Sequence, residues 1–450
     1  MIDIVLINAP FVLTDLPLAA AAMLGGTLKK HGFDYRYLDI NAEVNLDKAR
    51  NDPVIRFCED QQDVTQADMI ADHISDAATR ALDLQSRWIG ISLFCYQCQN
   101  YTRLLCEELK IRNPDIKIVL GGPGIITNGL NGDQNLGVEL IGLGLADEYI
   151  HGDGELSLIK LLSDQSVDRK SQISDLDSLP FADYEQYDFS LYPEKKLIVV
   201  GSRGCVRKCT FCDIHSHWPR FTFRSGEHIA REIISNHELY SIRDYWFADS
   251  LVNGSMIAYR DMVSHLAIHN STLADEEKLR WEGQFIFRPK NQFTDSDWRL
   301  TKESGVRRLF VGVESMIDHI RSHMGKKFSN DDIFHSLDRC LDLDIRIKFL
   351  MIVGYVTETE QDHQEEMMLY EKLAKYQSIL RFQLGGTLAI LPGTPLHAMS
   401  GDLGVTLGKK EDRWHNENGN YQDRLRRRNE KERALTDLGL WDPKEWQIKI

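Results

Sequence analysis

With 450 residues, 42% of them hydrophobic and 27% charged, the chain is too long for one ordinary core and suits two globular domains plus an appendage. A formal net charge of -15 argues against a broad phosphate-binding surface, so nucleic acid is not an expected partner. No run of about 18 apolar residues offers a membrane span, and the opening MIDIVLINAP reads as a first strand rather than a charged leader, so a cytoplasmic location is expected.

In chain order, Ile2 to Asn8 reads as a buried strand, Leu16 to Lys30 as a helix rich in Ala and Leu, and Asp34 to Ile40 as the strand closing a βαβ unit. The alternation continues with strand Trp88 to Phe94, helix Asn100 to Ile111 and strand Ile116 to Leu120. The glycine turn Gly121-Gly122-Pro123-Gly124, strand Glu148 to Ile150 and helix Glu155 to Leu162 follow. Residues 1–165 are therefore expected to be a doubly wound α/β domain, which binds ligands at the carboxyl ends of its strands. Residues 166–195 contain SDLDSLPFADYEQYDFSLYP, rich in Asp, Tyr and Pro without helical periodicity, and read as a packed linker.

Within the first domain Cys95 and Cys98 form a C-x-x-C at the end of the third strand, with Cys106 in the following helix. The pair suits a second cluster, a metal or a redox couple, or simply two small buried side chains. Cys58 and Cys340 read as core residues.

From residue 196 to 400 a second alternation begins with the apolar run Leu197 to Val200. Further strands are expected near Asp244 to Asp249, Leu279 to Phe287, Arg307 to Val313, Ile345 to Val353 and Leu380 to Gly386, separated by helices. This predicts a partial parallel barrel of six strands. Its strand ends carry Asp249, Arg288, Glu314, Ser315, Gly354 and Glu358, where barrels place their chemistry. Directly after the first of these strands comes GSRGCVRKCTFCDIH, with Cys205, Cys209 and Cys212 spaced C-x3-C-x2-C. Three thiolates on one loop suit an iron–sulfur cluster whose fourth iron stays open. The neighbouring His215 and His217 leave zinc as the alternative.

Arg203-Gly204-Cys205 followed by Cys209, Phe211 and Cys212 resembles the signature of the radical S-adenosylmethionine (SAM) enzymes. The resemblance implies a [4Fe-4S] cluster held by the three cysteines, with SAM chelated at the open iron and cleaved to a 5′-deoxyadenosyl radical. It implies SAM contacts from Phe211, Asp249, Arg288, Glu314, Ser315 and Gly354, a closing turn at Leu391 to Leu396 (LPGTPL), and an electron donor such as flavodoxin or ferredoxin. The first domain, with Gly121-Gly122-Pro123 and DEYIHGDGE, is similar to the cobalamin-binding domain that precedes the radical module in one subfamily. On that resemblance Pro10, Ser92, Gly121, Gly122, Pro123, Gly152, Gly154 and Glu155 are the expected corrinoid contacts. There is no D-x-H-x-x-G, so no protein histidine beneath cobalt is implied.

The function implied is cobalamin-dependent methyl transfer to an unactivated carbon of an unidentified substrate. The alternatives are a cobalamin-dependent radical cyclase or rearrangement enzyme, a methylthiotransferase with a second cluster, and a non-catalytic iron–sulfur or zinc redox module. Residues 401–450, with RLRRRNEKER at Arg424 to Arg433, read as a charged extension forming a solvated helix, and as a candidate cap for the barrel.

Overall fold

Strands of three to nine residues form two parallel sheets. The computed structural model describes residues 2–60, 66–127 and 134–441, and the chain divides into two units, the first running to Ile198 and the second beginning at Val199.

In the first unit, β1 (Ile2–Asn8), β2 (Tyr35–Leu38), β3 (Ser86–Ser92), β4 (Lys117–Gly121) and β5 (Glu148–Ile150) form a sheet in the order β2-β1-β3-β4-β5. Each adjoining pair is parallel. Ile4, Val5, Leu6 and Ile7 are all buried, as expected where helices cover both faces. Helix α1 (Ala19–Lys30) begins at Ala19 rather than Leu16. The residues before it are held extended, because Val12 N–H donates to Asn41 Oδ1 at 2.7 Å and Thr14 N–H to Asn45 Oδ1 at 3.4 Å. Helices α2 (Cys98–Arg112) and α3 (Gly154–Leu162) follow β3 and β5.

The segment from Ser163 to Glu194 forms only short 3-10 turns and is pinned by tyrosines. Tyr187 Oη donates to Leu18 O at 2.7 Å and accepts from Ala22 N–H at 3.1 Å. Tyr192 Oη donates to the buried Asp39, which also accepts from Tyr37 Oη at 2.7 Å and Asn8 Nδ2 at 2.9 Å. Burial pushes the Asp39 carboxyl up, and these donors oppose the shift.

In the second unit, β6 (Lys196–Val199), β7 (Asp244–Phe247), β8 (Arg280–Phe285), β9 (Val306–Glu314), β10 (Arg346–Val353) and β11 (Leu380–Thr387) lie in the order β11-β10-β9-β8-β7-β6. This is the expected six-stranded partial barrel. Its helices include α4 (Glu360–Leu373) and α5 (Tyr421–Asp437).

The charged tail is the main correction. The run Arg424 to Arg433 is helical but solvated on one face only: Arg424, Arg427 and Lys431 are buried, and α5 packs against β10, β11 and α4. The reason is pairing. Lys431 Nζ lies 3.2 Å from Glu358 and 2.5 Å from Glu366, Arg427 donates to Glu358 O at 2.9 Å, and the Arg424 guanidinium stacks 3.7 Å over Trp414. Trp446, the last tryptophan of the tail, lies outside the described residues.

Candidate active site

The cysteine loop leaves β6 through a turn with two specific supports. Asp249, just past β7 and buried, accepts from Gly201 N–H at 2.8 Å and from Ser202 Oγ at 2.5 Å. Burial pushes its carboxyl up to about 6, against the pull of these donors. Gly204 then adopts φ +75°, and a Cβ there would stand 2.6 Å from Arg220 O, so only glycine fits.

Beyond Cys205 the loop is stitched to the segments that follow three other strands. Thr210 N–H donates to Met324 O at 3.1 Å, and Thr210 O accepts from Leu396 N–H, in the turn after β11, at 2.8 Å. Thr210 Oγ1 bonds Tyr355 Oη at 2.7 Å, and that hydroxyl also lies 3.0 Å from His323 Nδ1. Phe211 packs against the apolar cluster containing Ile317, Tyr355, Leu388 and Ile390.

All three cysteines are partly exposed. Burial pushes each thiol above its ordinary value, while the Lys326 ammonium pulls each the other way. Binding a metal cluster therefore has to displace protons, and the local cation favours that. Three thiols on one loop are the donor set of an iron–sulfur cluster, although among the described residues no three Cys, His, Asp or Glu side chains stand close enough together to hold a metal ion. The neighbouring histidines are otherwise engaged: His215 Nε2 lies 2.8 Å from Arg207 O, and His217 pairs with Asp213 at 3.9 Å.

Every expected residue at the barrel mouth lies at a carboxyl strand end, but their environments differ. Glu314 closes β9 with φ +69°, a left-handed backbone unusual outside glycine. The β9–β10 register shifts between Gly312 and Glu314, so a bulge re-aims this side chain. It pairs with Lys326 at 3.0 Å, whose Nζ also donates to Gly312 O at 2.9 Å. Burial pulls the Lys326 pKa down, yet Glu314 and the cysteines outweigh it and hold it above its ordinary value. Lys326 Nζ also lies 5.8 Å from the Phe211 ring centroid.

Arg288, half-buried after β8, donates from Nη2 to Asn253 O at 2.6 Å and Gly254 O at 3.2 Å. Its Nε is buried with no hydrogen-bond partner among the described residues. Burial lowers its pKa, and Arg207 and Arg260 add to the effect. Ser315 is turned inward: its Oγ accepts from Ile317 N–H at 3.1 Å and its carbonyl from Arg321 at 2.6 Å. Gly354 N–H donates to Glu358 Oε2 at 2.8 Å, and a Cβ on Gly354 would stand 2.3 Å from the Arg424 side chain. Ser315 and Gly354 thus organise the strand ends from within.

Lys326, Tyr355 and Thr210 are site residues that sequence reasoning missed. Tyr355 directly follows Gly354, and Thr210 lies inside the cysteine motif, so adjacency was available for both. Lys326 had no local signal.

In the first unit the expected corrinoid contacts gather at the carboxyl edge of the sheet: Pro10 after β1, Ser92 ending β3, Gly121 to Pro123 after β4, and Gly152 to Glu155 after β5. Two of the glycines are explained internally. A Cβ on Gly122 would meet Leu93 O at 2.4 Å, and one on Gly152 would meet Ser171 O at 2.2 Å. Gly154 faces the Leu24 side chain at 3.2 Å. Gly121 differs, because a Cβ there would meet nothing within 4 Å among the described residues. On the same edge Leu13, Phe94 and Tyr96 expose 42%, 45% and 57% of their surfaces. An open glycine beside exposed apolar side chains fits a large flat ligand such as a corrinoid.

Cys98 and Cys106 are fully buried and Cys58 nearly so, while Cys95 is partly exposed.

Residues 199–369 match the sequence profile of the Radical SAM superfamily. Cytidylyl-2-hydroxyethylphosphonate methyltransferase of Streptomyces wedmorensis is 22% identical over 386 residues, which is 74% of this chain and 67% of its own. The anaerobic magnesium-protoporphyrin IX monomethyl ester cyclase of Synechocystis is 22% identical over 216 residues, 41% of each chain. Among solved structures, the radical SAM methyltransferase TsrM of Kitasatospora setae with cobalamin and [4Fe-4S] cluster bound gives a TM-score of 0.61 at 15% identity, over 90% of this chain and 80% of its own. The cobalamin-dependent radical enzyme OxsB with aqua-cobalamin bound gives 0.63 at 16% identity, over 98% of this chain and 67% of its own. Both likenesses are to the same fold, a doubly wound α/β domain followed by a partial barrel.

Proposed function

We propose, from the match of residues 199–369 to the Radical SAM superfamily profile, that the chain is a radical SAM enzyme and a cobalamin-dependent methyltransferase acting on an unactivated carbon. Cys205, Cys209 and Cys212 would hold the [4Fe-4S] cluster. Arg288 and Glu314 would contact SAM directly, with Phe211 beside them and Asp249, Ser315 and Gly354 shaping the loops. Pro10, Ser92, Gly121, Gly122, Pro123, Gly152, Gly154 and Glu155 would line the corrinoid site. When bound, the cluster supplies the electron that cleaves the sulfonium of SAM, and the corrinoid supplies a methyl carrier.

The chain's own residues bind, neutralise and exclude water. Lys326 places a cation beside the thiols and holds Glu314 in one orientation. Arg288 keeps a buried N–H free to donate to an anionic group. Asp249 fixes the start of the cysteine loop, and Tyr355 holds it at Thr210, inside the motif. The observation that carries the reading is this loop, joined at Thr210 to the segments that follow three barrel strands. The first domain supports the cobalamin half through its open Gly121 edge.

The test is anaerobic reconstitution with iron, sulfide and hydroxocobalamin, followed by metal analysis and assay of 5′-deoxyadenosine. Stoichiometric cobalt beside about four irons per chain is expected, with 5′-deoxyadenosine formed by the wild type and absent from Cys209→Ala. About eight irons without cobalt would instead favour a methylthiotransferase with a second cluster.

A further inference from the structure

Cys95 and Cys98 belong to neither proposed cofactor site. Cys98 is the first residue of α2, a helix of 15 residues, and Cys95 lies in the turn that enters it. The two sulfurs are 3.9 Å apart, and Cys98 N–H donates to Cys95 O at 3.1 Å, closing the turn between them. A disulfide needs its sulfurs at about 2.05 Å, so the pair must close by roughly 2 Å, a distance that side-chain rotation covers without moving the helix. The two thiols are unequal in access: Cys95 is partly exposed and Cys98 is fully buried.

We propose that Cys95 and Cys98 form a reversible dithiol–disulfide site, with Cys95 the residue attacked and released by external thiol–disulfide partners and Cys98 the residue that closes the bond.

The chemistry balances with a small-molecule disulfide as oxidant. The Cys95 thiolate attacks one sulfur of the oxidant, forming a mixed disulfide and expelling one thiol after proton uptake. Cys98, having lost its proton to solvent, then attacks Cys95 Sγ and expels the second thiol. Two thiols of the chain are oxidised, and one disulfide is reduced to two thiols. Electrostatics favour the same order of events. The hydrogen bond from the Cys98 thiol, with amides at the helix start, brings Cys95 down to about 7 despite burial, while the same bond and burial push Cys98 well up.

The site is wired to the sheet edge. The Cys95 thiol donates to Phe11 O at 3.6 Å, a bond that oxidation removes. A Cβ on Gly124 would stand 2.3 Å from Cys95 O, so the backbone of the pair also abuts the loop after β4. Thiol state is thereby felt directly at Phe11, in the loop following β1. The proposal is independent of whether a corrinoid is held there.

The experiment equilibrates the full, cluster-reconstituted chain anaerobically in glutathione buffers of graded oxidised-to-reduced ratio. Acid quench, alkylation and peptide mapping follow. The expected result is a Cys95–Cys98 disulfide that rises with the ratio and reverts in excess reduced glutathione. In Cys98→Ser, a glutathione mixed disulfide should persist on Cys95. Three outcomes would overturn the proposal: both thiols recovered alkylated at every ratio, a stable wild-type mixed disulfide on Cys95, or a bond from Cys95 to Cys58.

Discussion

Lys431 and Glu366 form an ion pair of 2.5 Å whose two side chains are each only 2% exposed. Glu366 in turn accepts Met316 N–H at 2.6 Å, and Glu358, the second partner of Lys431, accepts from Gly354 N–H at 2.8 Å and Tyr355 N–H at 3.3 Å. One ammonium on α5 therefore steadies the loops after both β9 and β10. Replacing Lys431 by Met leaves two buried carboxylates without a cation, and the expected cost is about 3–5 kcal/mol. Denaturant unfolding measures it. If the variant differs from wild type by under about 1 kcal/mol, the pair is not holding these loops.

Lys326 tests the electrostatics of the cluster. A cation beside the thiolates favours the more negative, reduced state, so Lys326→Met should make the cluster harder to reduce. With one nearby charge removed from a partly screened site, the expected shift is on the order of tens of millivolts in the negative direction. An anaerobic redox titration read by electron paramagnetic resonance checks the sign.

Asp249 makes a pH prediction. Its folded pKa of about 6 exceeds the ordinary 3.8, so burial disfavours the ionised form. Its contribution to stability is full below about 3.8 and is lost as pH rises through about 6. Asp249→Asn keeps an acceptor for Gly201 N–H and gives Ser202 Oγ a donor, so the fold should persist while this pH dependence disappears. Asp249→Ala leaves two buried donors unpaired and should cost about 2–3 kcal/mol, with lower iron content after reconstitution. Chemical denaturation at pH 4, 5 and 7 separates the two variants.

Cys95 should alkylate with a rate that rises through a midpoint near 7, against 9 for an ordinary thiol. Iodoacetamide kinetics on the reduced chain, mapped by peptide, provide the measurement. A midpoint near 9 would mean that Cys98 does not donate to it.

Where the sequence was legible, the information was local. β1 and β5 match their expected spans to the residue, and for β1 the reason is that a strand covered on both faces is apolar along most of its length. The six barrel strands were legible from the alternation of strand and helix patterns. What could not be read depended on residues distant in the chain. Arg424, Arg427 and Lys431 look like a solvated face because their partners at Glu358, Glu366 and Trp414 lie on other elements. Lys326 was invisible until the bulge in β9 brought Glu314 to it. Among the glycines, spacing alone could not separate Gly122, filled by Leu93, from the open Gly121.

The bond from Leu396 N–H to Thr210 O joins the cysteine loop near the start of the barrel to the turn that ends it. On a ribosome, the cysteines would emerge long before their final anchor is synthesised. The nascent chain would carry the three thiols without this last anchor while the rest of the barrel is made. Cluster delivery timed after release of the finished chain would then meet a loop already held in place, whereas earlier delivery would meet one still lacking its last support.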